Sequence, residues 1–196
     1  MIMIESTVQR RDELLTKAEA LFAERGYHAT SVRDLADALD IKAGSLYAHI
    51  EAKEEILWEL LNAAADRFFA ALRPIVESNL IPVERLKRAI TAHVKVITDN
   101  VVSASVYTTQ WRHLEEPRRG EFAARRDEYE RMFRSLVHDC IRTGAFADVE
   151  EKFATLLILS SINWVYQWYK PGGPMTAEEI ARTLTEMLLN GLKRGR

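Results

Sequence analysis

The residues best suited to chemistry in this 196-residue chain form one short run, Lys42-Ala43-Gly44-Ser45-Leu46-Tyr47-Ala48-His49. The run is poor in apolar side chains and rich in small or hydrogen-bonding ones. Only Leu46 and Ala43 suit a core, with Ile50 closing the packing. A helix laid against a duplex needs low bulk at its N-terminal end and donors around it. Gly44 costs about 1 kcal/mol of helix propensity, a cost that close backbone approach to another surface would explain. Tyr47 and His49 are placed to reach phosphates. Lys53 stands at the start of the next helix, where a cation and free N–H groups act together on an anion. Lys42 and the Gly44-Ser45 edge would lie nearest the bases. Thr30, Ser31 and Arg33, at the opening of the preceding helix, are counted on the same face.

Other reactive types fail on spacing. His138-Asp139-Cys140 are consecutive, and consecutive helical residues point ~100° apart, so they form no catalytic cluster. Glu115-Glu116 meets the same objection. There is no Gly-rich phosphate loop, no CxxC and no HExxH. His93 and His113 lack a third ligand for a metal. Neither an enzyme nor a metal protein is expected, and no cofactor.

The elements that must hold the run are legible around it. Leu14, Ala18, Leu21 and Phe22 share one face of a first helix, which ends on Arg25-Gly26. Tyr27 to Thr30 is a connector. Ser31-Val32-Arg33-Asp34 reads as a capping box, and Val32, Leu35, Ala36 and Leu39 give the second helix its buried side. Asp40-Ile41 makes the turn, with Ile41 as a core plug. This is a helix-turn-helix with a third, reading helix.

Charge runs against non-specific nucleic-acid binding. Residues 1–55 hold seven Lys/Arg against eleven Asp/Glu, where such binders are usually basic. None of the carboxylates falls between Ala43 and Ile50. Affinity would rest on a few phosphate contacts, helix N-termini and a doubled surface, with Arg10 and Arg11 as a short basic arm.

From Ile56 onward the pattern stays helical. A fourth helix runs to about Asn79, a fifth from Val83 to Asp99, a sixth from Val101 to Leu114, and a seventh from Glu116-Pro117 to Thr143. An eighth spans Val149 to Tyr169, and a ninth, capped by Thr176 with Glu179, runs to Asn190. The expected fold is all-α with about nine helices, in two domains: 1–52 for DNA and 53–196 for ligand binding and dimerisation. One cysteine, Cys140, suits a reducing cytoplasm. The N-terminus has no apolar run of a signal peptide. The uncharged stretch Phe153 to Tyr169 is shorter than the ~20 residues of a membrane span and reads as a helix buried on most sides, so no membrane partner is expected.

Aromatics concentrate in helices six to eight. Tyr107, Trp111, Trp164 and Trp168, with Asn163 and Gln167 as a polar pair, suit an apolar cavity with a few placed polar groups. Trp164 and Trp168 are spaced for one helix face. Arg112 and Lys170, with Arg118, Arg119, Arg125 and Arg126, would receive an anionic group at its mouth.

The pattern AxxLFAERGYxxTSVRDLADxxxIxxGSLYxHIxxKEEIL, ending at Leu57, resembles the DNA-binding domain of the TetR family of transcriptional repressors. Lys42 stands where the family often has a capping Ser or Thr, Ala52 where a capping Ser is common, and Ile50 where Phe is usual. The first two weaken local caps by about 1 kcal/mol each. Gln110-Trp111-Arg112-His113-Leu114, the run 126–130, Asn163-Trp164 and Trp168 to Pro174 are similar to the acyl-CoA-responsive branch. That branch represses genes for fatty-acid, sterol-ring or aromatic-acid breakdown. The resemblance implies a repressor on double-stranded operator DNA, a homodimer through the last two helices, and release by a small effector, an acyl-CoA thioester. The alternative is a repressor of an efflux pump that answers to hydrophobic drugs. The cations counted above favour an anionic ligand.

Overall fold

The computed structural model describes residues 2–47, 50 and 52–192, with side chains from Arg10 onward except that of Leu192. Among these residues every regular element is helical: α1 (Ile2–Arg25), α2 (Val32–Ala38), α3 (Ala43–Tyr47), α4 (Lys53–Val76), α5 (Pro82–Asp99), α6 (Val101–Thr109), a 3₁₀ turn (Trp111–His113), α7 (Arg118–Arg142), α8 (Glu151–Asn163), α9 (Val165–Trp168) and α10 (Ala177–Leu192). The all-α expectation holds. The expected eighth helix is broken at Trp164 into α8 and α9, and the expected sixth closes early into the 3₁₀ turn. Counting α8 and α9 as one interrupted helix, there are nine among the described residues.

The helices form two compact units. The first joins Met1–Ala64 to Val102–Phe122; the second joins Ala65–Val101 to Ala123–Arg196. Residues 102–122, read from sequence with the second domain, thus pack in the first unit.

In the first unit Leu14, Ala18 and Phe22 of α1, Leu35 and Ala36 of α2, Leu46 of α3 and Ile50 make the core around the helix-turn-helix. Gly26 ends α1 at φ +88°, a conformation that disfavours any side chain. Ile41 is half-buried rather than a core plug. A second patch is aromatic: Phe122 meets Trp58, Tyr107 and Trp111 at ring separations of 6.5, 5.8 and 6.3 Å.

In the second unit α5 is the hub, packed on α8, α9 and most extensively on α10. Leu86, Ala89, Ile90, His93, Val94 and Ile97 bury one helical stripe of it, and Pro82 occupies its first turn, where no N–H is needed. Arg85 of α5 pairs with Asp139 of α7 at 2.7 Å and donates to the Val76 carbonyl at the end of α4. α10 opens on the expected capping box: Thr176 N–H donates to Glu179 and Glu179 N–H to Thr176 Oγ1. α8 differs from expectation. It is not buried on most sides, because Phe153, Leu156 and Leu157 stand exposed along it and Trp164 at its end.

Candidate functional site

The helix-turn-helix is built locally. Ser31 caps α2: its Oγ accepts from Asp34 N–H at 3.1 Å, and Asp34 Oδ2 accepts from Ser31 N–H at 2.7 Å. The Ser31 hydroxyl bond holds the Asp34 carboxyl below its usual range. Asp40 turns the chain at φ +54°, and Ile41 N–H donates back to the Ala36 carbonyl at 3.0 Å. The Lys42 carbonyl then accepts from Ser45 and Leu46 and starts α3. Leu46 is the buried residue of α3. Lys42, Gly44, Ser45 and Tyr47 are exposed and Ala43 is half-buried. Ser31 and Arg33 are exposed as well. A Cβ built on Gly44 meets nothing within 4 Å among the described residues, so none of them requires glycine there. His49 lies outside the described residues.

Two residues of the expected DNA face are turned inward. Thr30 is fully buried, its hydroxyl donating to the Gly26 carbonyl at 3.0 Å. Lys53 Nζ donates to the carbonyls of Tyr27 (2.6 Å) and Thr30 (2.7 Å) and lies 4.0 Å from the centroid of the Tyr27 ring. Burial lowers its pKa. The reason is the 26–30 connector, whose carbonyls face inward and need donors. Lys53 supplies them with two of its three N–H donors, which ties its ammonium to the connector. Arg11 is also engaged, with Glu55 at 3.0 Å and Glu59 at 2.5 Å across α4, which removes it from a basic arm.

The same connector is strapped from the 3₁₀ turn. Gln110 Oε1 accepts from Tyr27 N–H at 2.9 Å, His113 stacks on the Tyr27 ring at 6.0 Å, and His28 stands edge-on to His113 at 4.3 Å.

The expected effector residues divide between the units. Tyr107, Trp111 and Arg112 belong to the first. There Tyr107 is buried on Phe122, and the Arg112 guanidinium lies over the Trp111 ring at 5.0 Å. Asn163, Trp164, Gln167, Trp168 and Lys170 belong to the second. Trp164 is the residue between α8 and α9 and Trp168 the last of α9, and they are 60% and 45% exposed. Gln167 donates to Tyr166 Oη at 2.9 Å instead of pairing with Asn163, and Lys170 is exposed. Several expected mouth cations are paired: Arg118 with Glu54, Arg119 with Glu116, Arg125 with Asp66.

Asn163 instead meets His93, whose Nε2 lies 3.1 Å from Asn163 Oδ1 and whose Nδ1 lies 2.9 Å from Tyr129 Oη. Burial pushes the imidazole down to about 3, so it is neutral. No local motif marks this chain of three, since its members are 36 and 70 residues apart. The His138-Asp139-Cys140 run disperses: His138 pairs with Glu151, Asp139 with Arg85 and Arg142, and Cys140 is buried, its thiol pushed up to about 11.

Comparison with known proteins accords with this architecture. The model for bacterial regulatory proteins of the tetR family matches residues 14–60, and that for the tetracyclin repressor-like C-terminal domain matches residues 79–192. The HTH-type transcriptional repressor KstR2 of Mycobacterium tuberculosis is 35% identical over 185 residues, 93% of this chain and 92% of KstR2. The solved structure of that ketosteroid transcriptional regulator matches with a TM-score of 0.88 at 34% identity, over 95% of this chain and 96% of that one. AibR, solved with isovaleryl coenzyme A and operator DNA, matches with a TM-score of 0.83 at 26% identity, over 92% of this chain and 98% of AibR.

Proposed function

The chain belongs to the TetR family of transcriptional regulators, DNA-binding proteins and not enzymes, and is a repressor of that type; from this premise we propose that it binds a palindromic operator as a homodimer and leaves it when an acyl-CoA thioester binds. The observation that carries the effector class is the likeness to AibR, whose solved complex holds both an acyl-CoA and operator DNA. KstR2, a ketosteroid transcriptional regulator by its solved structure, is alike along nearly the whole chain.

The reading head is Lys42, Gly44, Ser45 and Tyr47 of the exposed α3 face, with Ser31 and Arg33 of α2. Lys42 and the Gly44-Ser45 edge approach bases, and Tyr47 approaches phosphate. The dimer forms through α8 and α10. This reading is supported by the exposed apolar Phe153 and Leu157 on α8, Trp164 just after it and Met187 on α10, side chains of the kind that interfaces cover. Release requires that the thioester prefer a form whose recognition helices no longer match successive major grooves. α4 and α7 each belong in part to both units, which provides covalent continuity between effector and operator. Among the described residues no helix is long and apolar enough to cross a membrane.

The test is operator binding by fluorescence anisotropy, titrated with isovaleryl-, octanoyl-, palmitoyl- and steroid-acyl-CoA, free CoA, the free acids and cationic drugs. Release by at least one thioester, and by neither its acid nor free CoA, is the expected result. Release by cationic drugs alone would replace this reading with the efflux-pump one.

A further inference from the structure

Three polar side chains from three helices meet inside an aromatic box in the second unit. His93 of α5 is 2% exposed. Tyr129 of α7 lies on its Nδ1 and Asn163, the last residue of α8, on its Nε2. Phe68 stands 4.8 Å and Phe133 6.0 Å from the imidazole, and Phe69 5.5 Å from the Tyr129 ring. An amide oxygen has no proton to give, so Nε2 carries the hydrogen and donates to Asn163 Oδ1. Nδ1 is therefore bare and accepts from the Tyr129 hydroxyl.

This order of bonds orients the Asn163 amide. Its Oδ1 is turned to His93, so Nδ2 points away from the imidazole. Among the described residues no protein acceptor takes a hydrogen bond from that Nδ2. Asn163 is half-buried and sits where α8 ends before Trp164. An ordinary surface asparagine needs no relay behind it. Burying an imidazole and a phenol hydroxyl to hold one amide is costly unless their bonds stay satisfied. The outcome is a pair of N–H donors held in one direction, which suits an acceptor that brings no proton of its own.

We propose that Asn163 Nδ2 reads the carbonyl oxygen of the effector's acyl thioester, with His93 and Tyr129 as positioning residues behind it. This rests on the acyl-CoA reading above. A thioester carbonyl accepts from Nδ2 without disturbing the relay. A cationic drug meets the same N–H groups with its own donors and gains nothing, so the relay also discriminates between ligand classes.

The experiment compares two probes: the thioester that releases operator at the lowest concentration in the panel above, and its thioether analogue, with CH2 in place of the carbonyl. Wild type is expected to respond to the thioester at about tenfold lower concentration, the size of one oriented hydrogen bond. Asn163→Leu brings that ratio close to one. Tyr129→Phe, which removes only the hydroxyl, and His93→Leu lower the ratio while leaving effector-free operator affinity as in wild type. A purely structural role would shift the melting temperature and keep the ratio. If His93→Leu does not fold, the near-isosteric Tyr129→Phe decides. Equal response of wild type to thioester and thioether, or an unchanged ratio in Asn163→Leu, overturns this inference and leaves the acyl-CoA reading standing. Release by no thioester overturns both.

Discussion

Replacing Gly44 by alanine is expected to make the protein more stable and a poorer repressor. Gly44 lies in α3 outside the left-handed region, and the space its Cβ would enter is empty to 4 Å. The added methyl therefore costs no clash among the described residues. It removes backbone freedom from the unfolded state and adds helix propensity, together about 0.5–1 kcal/mol. The lower end applies because α3 is only five residues long. For a chain of this size 1 kcal/mol raises Tm by roughly 2–4 °C. On the operator the sign reverses. If α3 is held against the groove at Gly44, the methyl pushes the backbone off by a good fraction of an ångström and weakens the neighbouring contacts of Lys42 and Ser45. Losing one or two such contacts, each about 1–3 kcal/mol, lowers affinity about 10- to 100-fold or more. A thermal melt and operator anisotropy on the same preparation read both effects. Unchanged operator affinity would show that Gly44 does not face DNA, and a lower Tm would show that the space is not empty.

Lys53→Met keeps the side-chain stem and leaves the Tyr27 and Thr30 carbonyls short of a donor. It should cost about 1–3 kcal/mol in urea unfolding while the salt slope of operator binding stays put; a drop in slope of about one would mark Lys53 as a phosphate ligand after all. His93 has its folded pKa near 3 against an ordinary 6.5, so between these values the unfolded chain binds the extra proton and stability rises with pH. Acidifying from pH 6.5 to 5 should therefore remove up to about 2 kcal/mol, and His93→Leu should flatten that acid limb. The same limb in the variant would rule His93 out as its source. Leu157→Glu, at an exposed apolar position of α8, is expected to give monomers in light scattering and abolish operator binding; an intact dimer would move the interface elsewhere.

Much of the reading head was legible from residues because its determinants are local. The Ser31-Asp34 capping box spans three residues, the Gly26 stop follows its helix at once, and the apolar stripes of α2 and α5 repeat at helical spacing. Such features depend on backbone geometry within a turn or two, which composition and period report directly. The face of α3 followed too, since so few of its side chains are apolar. Tertiary structure alone decided where the long, polar side chains went. No spacing shows that Lys53 serves two carbonyls of the connector 26–30, more than twenty residues away. The helix read as continuous from Val149 to Tyr169 is interrupted at Trp164. The His93 relay joins residues 36 and 70 apart, and no period encodes such a meeting. A backbone carbonyl needs a donor whichever residue brings it, so the partner is set by which elements the hydrophobic core has already brought together.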